Sequence, residues 1–434
     1  SLLAKRSKPF PYACSPGVPI LRHRCTSWVK LLYDYRTTRS PRCKPLFASL
    51  STISRDASLQ DNCAILAESD PERAFVLTPD DFALLNPNTR TCPVFRSRTD
   101  ADLTKQIYRA APILVDENNP RTGNPWGIRF YTMFHMTNDS GLFRTAEQLD
   151  ADGFWHGADH AWHKGDQTYV RLYEGKMVQM FDHRAARVLV DPNNLFRPAR
   201  PEPTSATEKA APGFIIRSQF YVPQEQVEQA LGEPPPRWLL GYKDVTAPTN
   251  RRTLIMSPIP FAGVGNTFCL IRADQATPIH CLIANLASFA LDYVARQKVH
   301  GQHLNFFVVK QLPVLPPSAY ETPFKGRDIR PWIRERVLEL TYTSEDMRPF
   351  AEDLGYDAPP FTWDETRRRH LRCQLDALYF HLYNLDKPQT ATILDTFPIV
   401  HQHDQKHPTL PNTRNLILSY HTAYTAGDLD AEAR

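Results

Sequence analysis

Thirty-eight prolines are spread through a chain of 434 residues that has only 17 glycines. Each proline fixes its own φ, withholds a backbone N–H and disfavours helix in the residue before it. Distributed this evenly, they predict many loops and short elements rather than long uninterrupted helices. The other residues allow real cores: 42% of the chain is hydrophobic and 23% charged, an ordinary globular balance. The length suffices for two or three domains. No apolar run reaches the roughly 18 residues of a membrane span. Lys5, Arg6 and Lys8 are not followed by an apolar stretch, so no secretory signal is expected. Eight cysteines (Cys14, Cys25, Cys43, Cys63, Cys92, Cys269, Cys281, Cys373) include no C-x-x-C pair. They are expected to be free, mostly buried thiols of a protein in a reducing, prokaryotic cytoplasm.

The net charge of +4 is too small to predict a polyanionic partner by itself. Its distribution is more telling. Between Lys5 and Arg55 bases are frequent and Asp34 is the single acid. Neither a helical nor a strand period persists there, so residues 1–70 are expected to form a poorly ordered basic arm. From Ala74 the pattern becomes globular, and the expected fold class is α+β: mixed strands and helices followed by a C-terminal helical segment. Residues 71–200 form one α+β region. Pro198, Pro201, Pro203 and Pro212 mark a linker or long loop. A second domain is expected over 213–345, with a helical segment over 346–434.

Local signals fix several elements. Thr78 precedes Pro79, an N-cap before a proline at the first helical position. A helix should start near Thr99, with Asp100 and Asp102 in its first turn and Leu103, Ile107 and Tyr108 on one face. Trp126–Phe134 is strand-like, and Thr168–Phe181 reads as two strands about Gly175. Strands are also expected at Trp238–Val245 and Thr253–Ile259. His280–Gln297 reads as one helix with Leu282, Leu286, Phe289, Tyr293 and Val294 on its apolar face. The following FFVVKQLPVLPP reads as a strand. Thr362–Leu385 reads as a helix capped by Thr362, with Glu365 as the capping-box partner.

Asn285–Pro317 is the most organised block: an apolar stretch studded with Arg296, Lys298 and His303, then a run with Lys310 and Gln311 in its middle. Five further blocks accompany it in order: Arg90–Leu114, Asn124–Phe143, Leu172–Arg184, Arg237–Ile255 and Arg372–Val400. Together they resemble the C-terminal half of large adenine-specific DNA methylases of Type II and related single-chain restriction–modification systems. The resemblance spans about Ala74 to Tyr424. It implies that this chain is the part that includes the target-recognition domain, that double-stranded DNA is its partner, and that a methyltransferase domain normally lies N-terminal to it. The intact enzyme would use S-adenosylmethionine, flip an adenine out of the duplex and methylate it, as part of a restriction–modification or phage-defence system. No cofactor is expected in this chain.

The catalytic motifs of that family are the next test. No N-P-P-[YF] or D-P-P-[YF] occurs in the chain; Asn86-Pro87-Asn88 and Asn124-Pro125-Trp126 lack the second proline. Phe261-Ala262-Gly263-Val264-Gly265 fits the cofactor pattern F-x-G-x-G, but it follows the strand TLIMSPIP inside the recognition half and reads better as a strand-connecting turn. No catalytic residue is therefore expected here. The candidates for DNA contact are Arg251, Arg252, Arg296, Lys298, His303, Lys310 and Gln311, because Arg and Lys pair with guanine or phosphate and Gln with adenine. Arg367, Arg368, Arg369 and Arg372 lie on the Thr362–Leu385 helix; they could lie on phosphates, but read first as a solvated face with Leu371, Leu375, Leu378 and Leu382 packed inside.

Two other chemistries are open. Asp166 with Glu174-Gly175-Lys176 has the D…E-x-K form of a metal-dependent DNA endonuclease. His156, Asp159, His160 and His163 could bind zinc if compactly looped; a polar loop suits them equally. A third reading is a gene remnant that folds and binds nothing.

Overall fold

The computed structural model of the chain describes residues 29–32, 72, 74–189, 199–274, 277–299 and 301–433. The basic arm expected over 1–70 thus lies outside the described residues, apart from the strand β1 (Val29–Leu32). β1 pairs antiparallel with β2 (Ala74–Leu77). The fold is α+β, with the helices gathered towards the C-terminus.

Thr78 caps α1 (Pro79–Leu85) through a capping box with Asp81. Ser97 caps α2 (Arg98–Ala110) by accepting the Asp100 N–H, and Ala101, Leu103, Ile107 and Tyr108 are buried. β3 (Arg129–Tyr131) follows, then α3 (Ala146–Ala151). β4 (Trp155–His156), β5 (Trp162–Lys164) and β6 (Gln167–Tyr173) form an antiparallel meander. Gly175 lies in a 3-10 turn after β6 rather than between two strands. A side chain there would meet the Thr267 carbonyl at 2.4 Å, so the chain needs glycine for close approach.

The expected linker is itself structured. β7 (Ala186–Leu189) pairs with β8 (Arg200–Pro203), and α4 (Ala206–Ala210) is capped by Ser205 and Glu208. β9 (Tyr221–Pro223) joins β6 and leads into α5 (Gln224–Leu231). Next come β10 (Trp238–Lys243), β11 (Met256–Pro260), β12 (Gly263–Val264) and β13 (Phe268–Arg272). The central sheet runs β11-β10-β13-β3, and β12 lies parallel to β6 in the other large sheet.

That central sheet corrects the expected division near residue 213, because β3 precedes the boundary while its partner β13 and the two strands beyond it follow. Its residues alternate between two cores. Leu240, Tyr242, Cys269 and Ile271 face the helical core. Leu239, Phe268 and Leu270 face the core under β6, β9 and α5. Successive side chains of a strand point to opposite faces. A sheet covered on both sides therefore reads as a near-continuous apolar run, and WLLGY and FCLI are such runs.

The helical part comprises α6 (Ile279–Leu286), α7 (Phe289–Lys298), α8 (Phe306–Lys310), α9 (Ile329–Thr341), α10 (Arg348–Asp353), α11 (Glu365–Leu382), α12 (Lys387–Asp395), α13 (Pro398–Lys406) and α14 (Thr413–Thr425). The single helix expected over His280–Gln297 is two. Ser288 is extended and caps α7, accepting the Leu291 N–H and donating to the Asn285 carbonyl. Asp376 of α11 takes the Phe289 N–H at 2.7 Å. These partners satisfy the backbone at the break. FFVVK is a helix, not a strand, but the extended residues beyond it pair with Pro112–Val115: Leu114 N–H bonds the Leu312 carbonyl and Val314 N–H the Pro112 carbonyl. α11 is capped by Asp364, two residues after the expected Thr362.

A buried ion network ties the β6–β7 region to the helices. Asp346 bonds Arg171 and His183, both at 3.1 Å. Lys209 bonds Asp182 at 2.6 Å. Arg184, fully buried, donates to the carbonyls of Phe214, Lys209 and Thr343. The thiols of Cys92, Cys269, Cys281 and Cys373 are free, and the last three are buried; the other four cysteines lie outside the described residues. Among the described residues no helix is long and apolar enough to cross a membrane.

Two stability measurements test this packing. Arg184→Met strands several carbonyls and leaves the neighbouring acids under-compensated, so urea unfolding should show a loss of about 3–5 kcal/mol; a loss below about 1 kcal/mol would refute the role of the network. Asp376 behaves oppositely. Burial pushes its acid up to about 6, against the pull of Arg252, the Phe289 N–H and Arg372. A carboxyl raised in the fold binds protons more tightly there than in the unfolded chain. Its stability contribution therefore falls as pH rises from about 4 to about 6, by up to roughly 3 kcal/mol. Asp376→Asn keeps an acceptor for Phe289 and should raise Tm at pH 7, with the gain vanishing near pH 4.

Candidate nucleic-acid interface

Four of the seven residues expected at DNA are engaged inside the protein. Asp292, fully buried on α7, accepts the N–H groups of Thr253 and Leu254 at 2.8 and 2.7 Å. It also accepts Arg252 Nε at 3.1 Å. Arg252 lies 3.9 Å over the Phe289 ring. Arg296 donates to the Asn250 and Thr396 carbonyls at 2.8 and 3.2 Å, and burial lowers it to about 10. Lys298 donates to the Leu85 carbonyl and Asn86 Oδ1 at 2.7 and 2.5 Å; burial lowers it to about 7. Gln311, 4% exposed, donates to the Phe307 carbonyl, and its own carbonyl takes the Tyr108 hydroxyl at 2.6 Å. The expectation of base contact is corrected for these four: each fastens a loop or helix to its neighbour.

The other three are on the surface. Arg251 follows the turn whose carbonyls Arg296 holds, and it is exposed. His303 pairs with Asp244 at 2.5 Å, and Lys310 with Glu117 at 2.6 Å. Surface pairs of this kind contribute little and exchange readily for another anion. The 244–247 loop is bound to the 302–304 segment: Val245 and His303 form a β-bridge, Thr246 N–H bonds the Gln302 carbonyl, and Leu304 N–H bonds the Asp244 carbonyl. Two apolar side chains missed in the sequence are exposed there: Val245 of the loop at 50% and Phe307 of the following helix α8 at 59%. Phe306 turns inward to Phe130, with ring centroids 5.3 Å apart. Val245 and His303 on the bridged loops, and Phe307 and Lys310 on the helix α8 that follows His303, thus supply a rim of hydrogen-bonding and apolar groups.

The rival chemistries find no such assembly. Asp166 sits in the turn before β6 and Glu174 follows its end. Eight residue steps of strand at about 3.3 Å each separate them by roughly 26 Å, too far to share one cation. Glu174 is buried and ion-paired with Lys176 at 2.9 Å. Among the described residues no group of three or more His, Cys, Asp or Glu is arranged to hold a metal. His163 of the histidine-rich hairpin is occupied by Asp159 and Thr168. Gly263 and Val264 of the F-x-G-x-G string are the strand β12, buried beside β6. A side chain at Gly263 would meet Val222 at 2.3 Å. These are packing glycines, not an open loop around a ligand.

No protein-family model matches the chain, and no curated protein matches it.

The separation of Asp166 from Glu174 is testable. In urea unfolding, Asp166→Asn should change stability by less than about 0.5 kcal/mol. Glu174→Gln, which strips a partner from Lys176 near a buried acceptor, should cost about 1–3 kcal/mol. A Mn²⁺-dependent rise in Tm abolished equally by both substitutions would contradict this assignment.

Proposed function

We propose that this chain is the target-recognition part of an adenine-specific DNA methyltransferase of a restriction–modification or phage-defence system. In this reading it grips duplex DNA and selects the sequence, while S-adenosylmethionine binding and methyl transfer belong to a methyltransferase domain. What carries the reading is the rim of His303, Lys310, Phe307 and Val245. Major-groove edges are read by side-chain donors, and the thymine methyl by apolar contact; the rim supplies both. The order of the six blocks supports it as well. The two loops of the rim are tied to each other by the Thr246–Gln302 and Leu304–Asp244 backbone bonds, which limits the ordering cost of binding.

The test is fluorescence anisotropy with a labelled mixed-sequence duplex across a salt series. Binding by phosphate contacts releases counterions, so two such contacts should weaken affinity roughly tenfold between about 50 and about 200 mM salt. Lys310→Ala should lower the salt slope by about one at every sequence tested. His303→Ala and Phe307→Ala should instead cost about 1–3 kcal/mol at a preferred site and little elsewhere. The chain by itself should transfer no methyl group to DNA. Binding that is absent at low salt, or indifferent to salt, would refute the reading.

A further inference from the structure

The last turn of α11 meets α14 at two histidines. The rings of His381 and His421 are stacked, with centroids 3.9 Å and planes 18° apart. His421 is buried and His381 half-buried. His381 Nε2 bonds the His421 carbonyl at 2.9 Å, and His421 Nε2 bonds the Leu385 carbonyl at 3.0 Å. A carbonyl only accepts, so both neutral rings carry their proton on Nε2. The next proton must go to Nδ1. In His421 that atom is sealed from solvent, and no group among the described residues bonds it.

The groups around the pair do not welcome a charge. From α14, the Tyr424 ring lies 6.4 Å from that of His381. The turn at 324–327 presents Phe324, 5.6 Å from His381 between ring centroids, and the cation Lys325. The start of α12 presents Lys387, which donates to the Thr422 hydroxyl of α14 at 2.8 Å. It also presents Asp386, whose carboxylate already accepts the Gln389 N–H as the cap of α12. Two cations and one engaged acid thus face the pair. Further back along α11, His370 bonds the Tyr420 hydroxyl at 2.7 Å. A hydroxyl can donate or accept, so titration does not strand His370 as it strands His421.

Protonating His421 therefore puts an N–H donor where nothing accepts it, and charging both rings sets like charges face to face. Burial first, then His421 and Lys325, brings His381 down to about 4 against the pull of the His421 carbonyl. Burial and Lys387 lower His421 as well, against the Leu385 carbonyl and Asp386.

We propose that the His381–His421 stack is an acid-sensitive latch between α11 and α14, closed while both rings are neutral and released when they take up protons. Release frees the end of α14 from α11 and from the start of α12. It also opens the surface cavity of about 730 Å³ that both histidines line with Asn384, Leu385 and Lys387. The sign follows from the unfolded chain, where a histidine takes its proton near about 6.5. A ring held below that value keeps the latch at full strength above about pH 6.5, and the latch weakens as the pH falls towards about 4. The latch does not depend on the DNA-binding reading.

Hydrogen exchange of the full chain from about pH 7 to about pH 4.5, corrected for the intrinsic pH dependence of exchange, tests it, with α7 as the internal reference. The opening constant of α14 should rise up to about tenfold per pH unit for each proton gained, while α7 stays protected. His381→Phe keeps a stacked ring without its proton, and the His421 carbonyl retains the Thr425 hydroxyl. His421→Gln keeps a donor for the Leu385 carbonyl. Each variant should lower the slope of log opening constant against pH by about one. If one variant fails to fold, the other decides together with the contrast between α14 and α7 in the parent. The latch is overturned if α14 is equally protected across the range, if it opens only in step with α7, or if a folded variant keeps the parent slope.

Discussion

The burial of charge between the β6–β7 region and the C-terminal helices is the constraint on which the rest of this structure depends. Asp182, His183, Arg184 and Lys209 come from one side; Asp346 and Arg368 come from the other. Isolated, any of these ions would be unsupportable in a low-dielectric interior. Together they satisfy one another, and Asp346 shows how fully. Burial alone would raise its acid, yet His183 and Arg171 hold it well below the usual carboxylate range. Arg368 completes the joint by donating to the Leu340 and Phe181 carbonyls while its guanidinium lies 3.6 Å over Trp363. Such a network adds little net stability over an apolar joint, but removing any one partner leaves its counter-charge buried and alone, which is strongly destabilising.

The same device recurs around Asp292 at smaller scale. There a buried carboxylate takes two backbone N–H groups and Arg252, and Arg296 takes the next carbonyls of the same turn. The turn is held from both its donor and its acceptor sides. Its rigidity determines what lies outside it: Arg252 points inward and Arg251, its neighbour, outward. An interior arginine thus acts on the surface at second hand, by aiming a backbone that carries another arginine.

The sequence made the elements with local causes legible. The Thr78 cap, the amphipathic α2 and the strands around WLLGY were set by residues within a few positions of one another, and the structure has them. What depended on distant partners was hidden. The break between α6 and α7 is completed by Asp376, far along the chain on α11. The helix at Phe306–Lys310 overrides a β-rich composition because its neighbours, not its propensity, decide it. The supposed boundary near Gly213 failed because β3 joins strands more than a hundred residues later, and no local signal announces a long-range pairing. The candidate site was legible in the same partial way. Residue type selected Arg251, His303 and Lys310 together with Arg252, Arg296, Lys298 and Gln311, but only burial separates those that fasten from those that face outward. Arg369 was read as part of a solvated face for want of knowing that Asp404, far along the chain, claims it.

A net charge of +4 conceals this partition. Fifty-one bases nearly balance 47 acids in the total, but the balance is struck pair by pair, and largely indoors. Arg171, Arg252, Arg369 and Lys209 each have a buried or half-buried carboxylate of their own. Arg184, Arg296 and Arg368 are satisfied mainly by carbonyls. Electrostatic attraction for a polyanion then depends not on how many bases the chain carries but on which are left over, and where. Arg251, exposed on the turn that Arg252 and Arg296 fasten, is such a base, and the interior arginines decide its place. A chain with the same composition and its pairs redistributed would have the same charge and no such place.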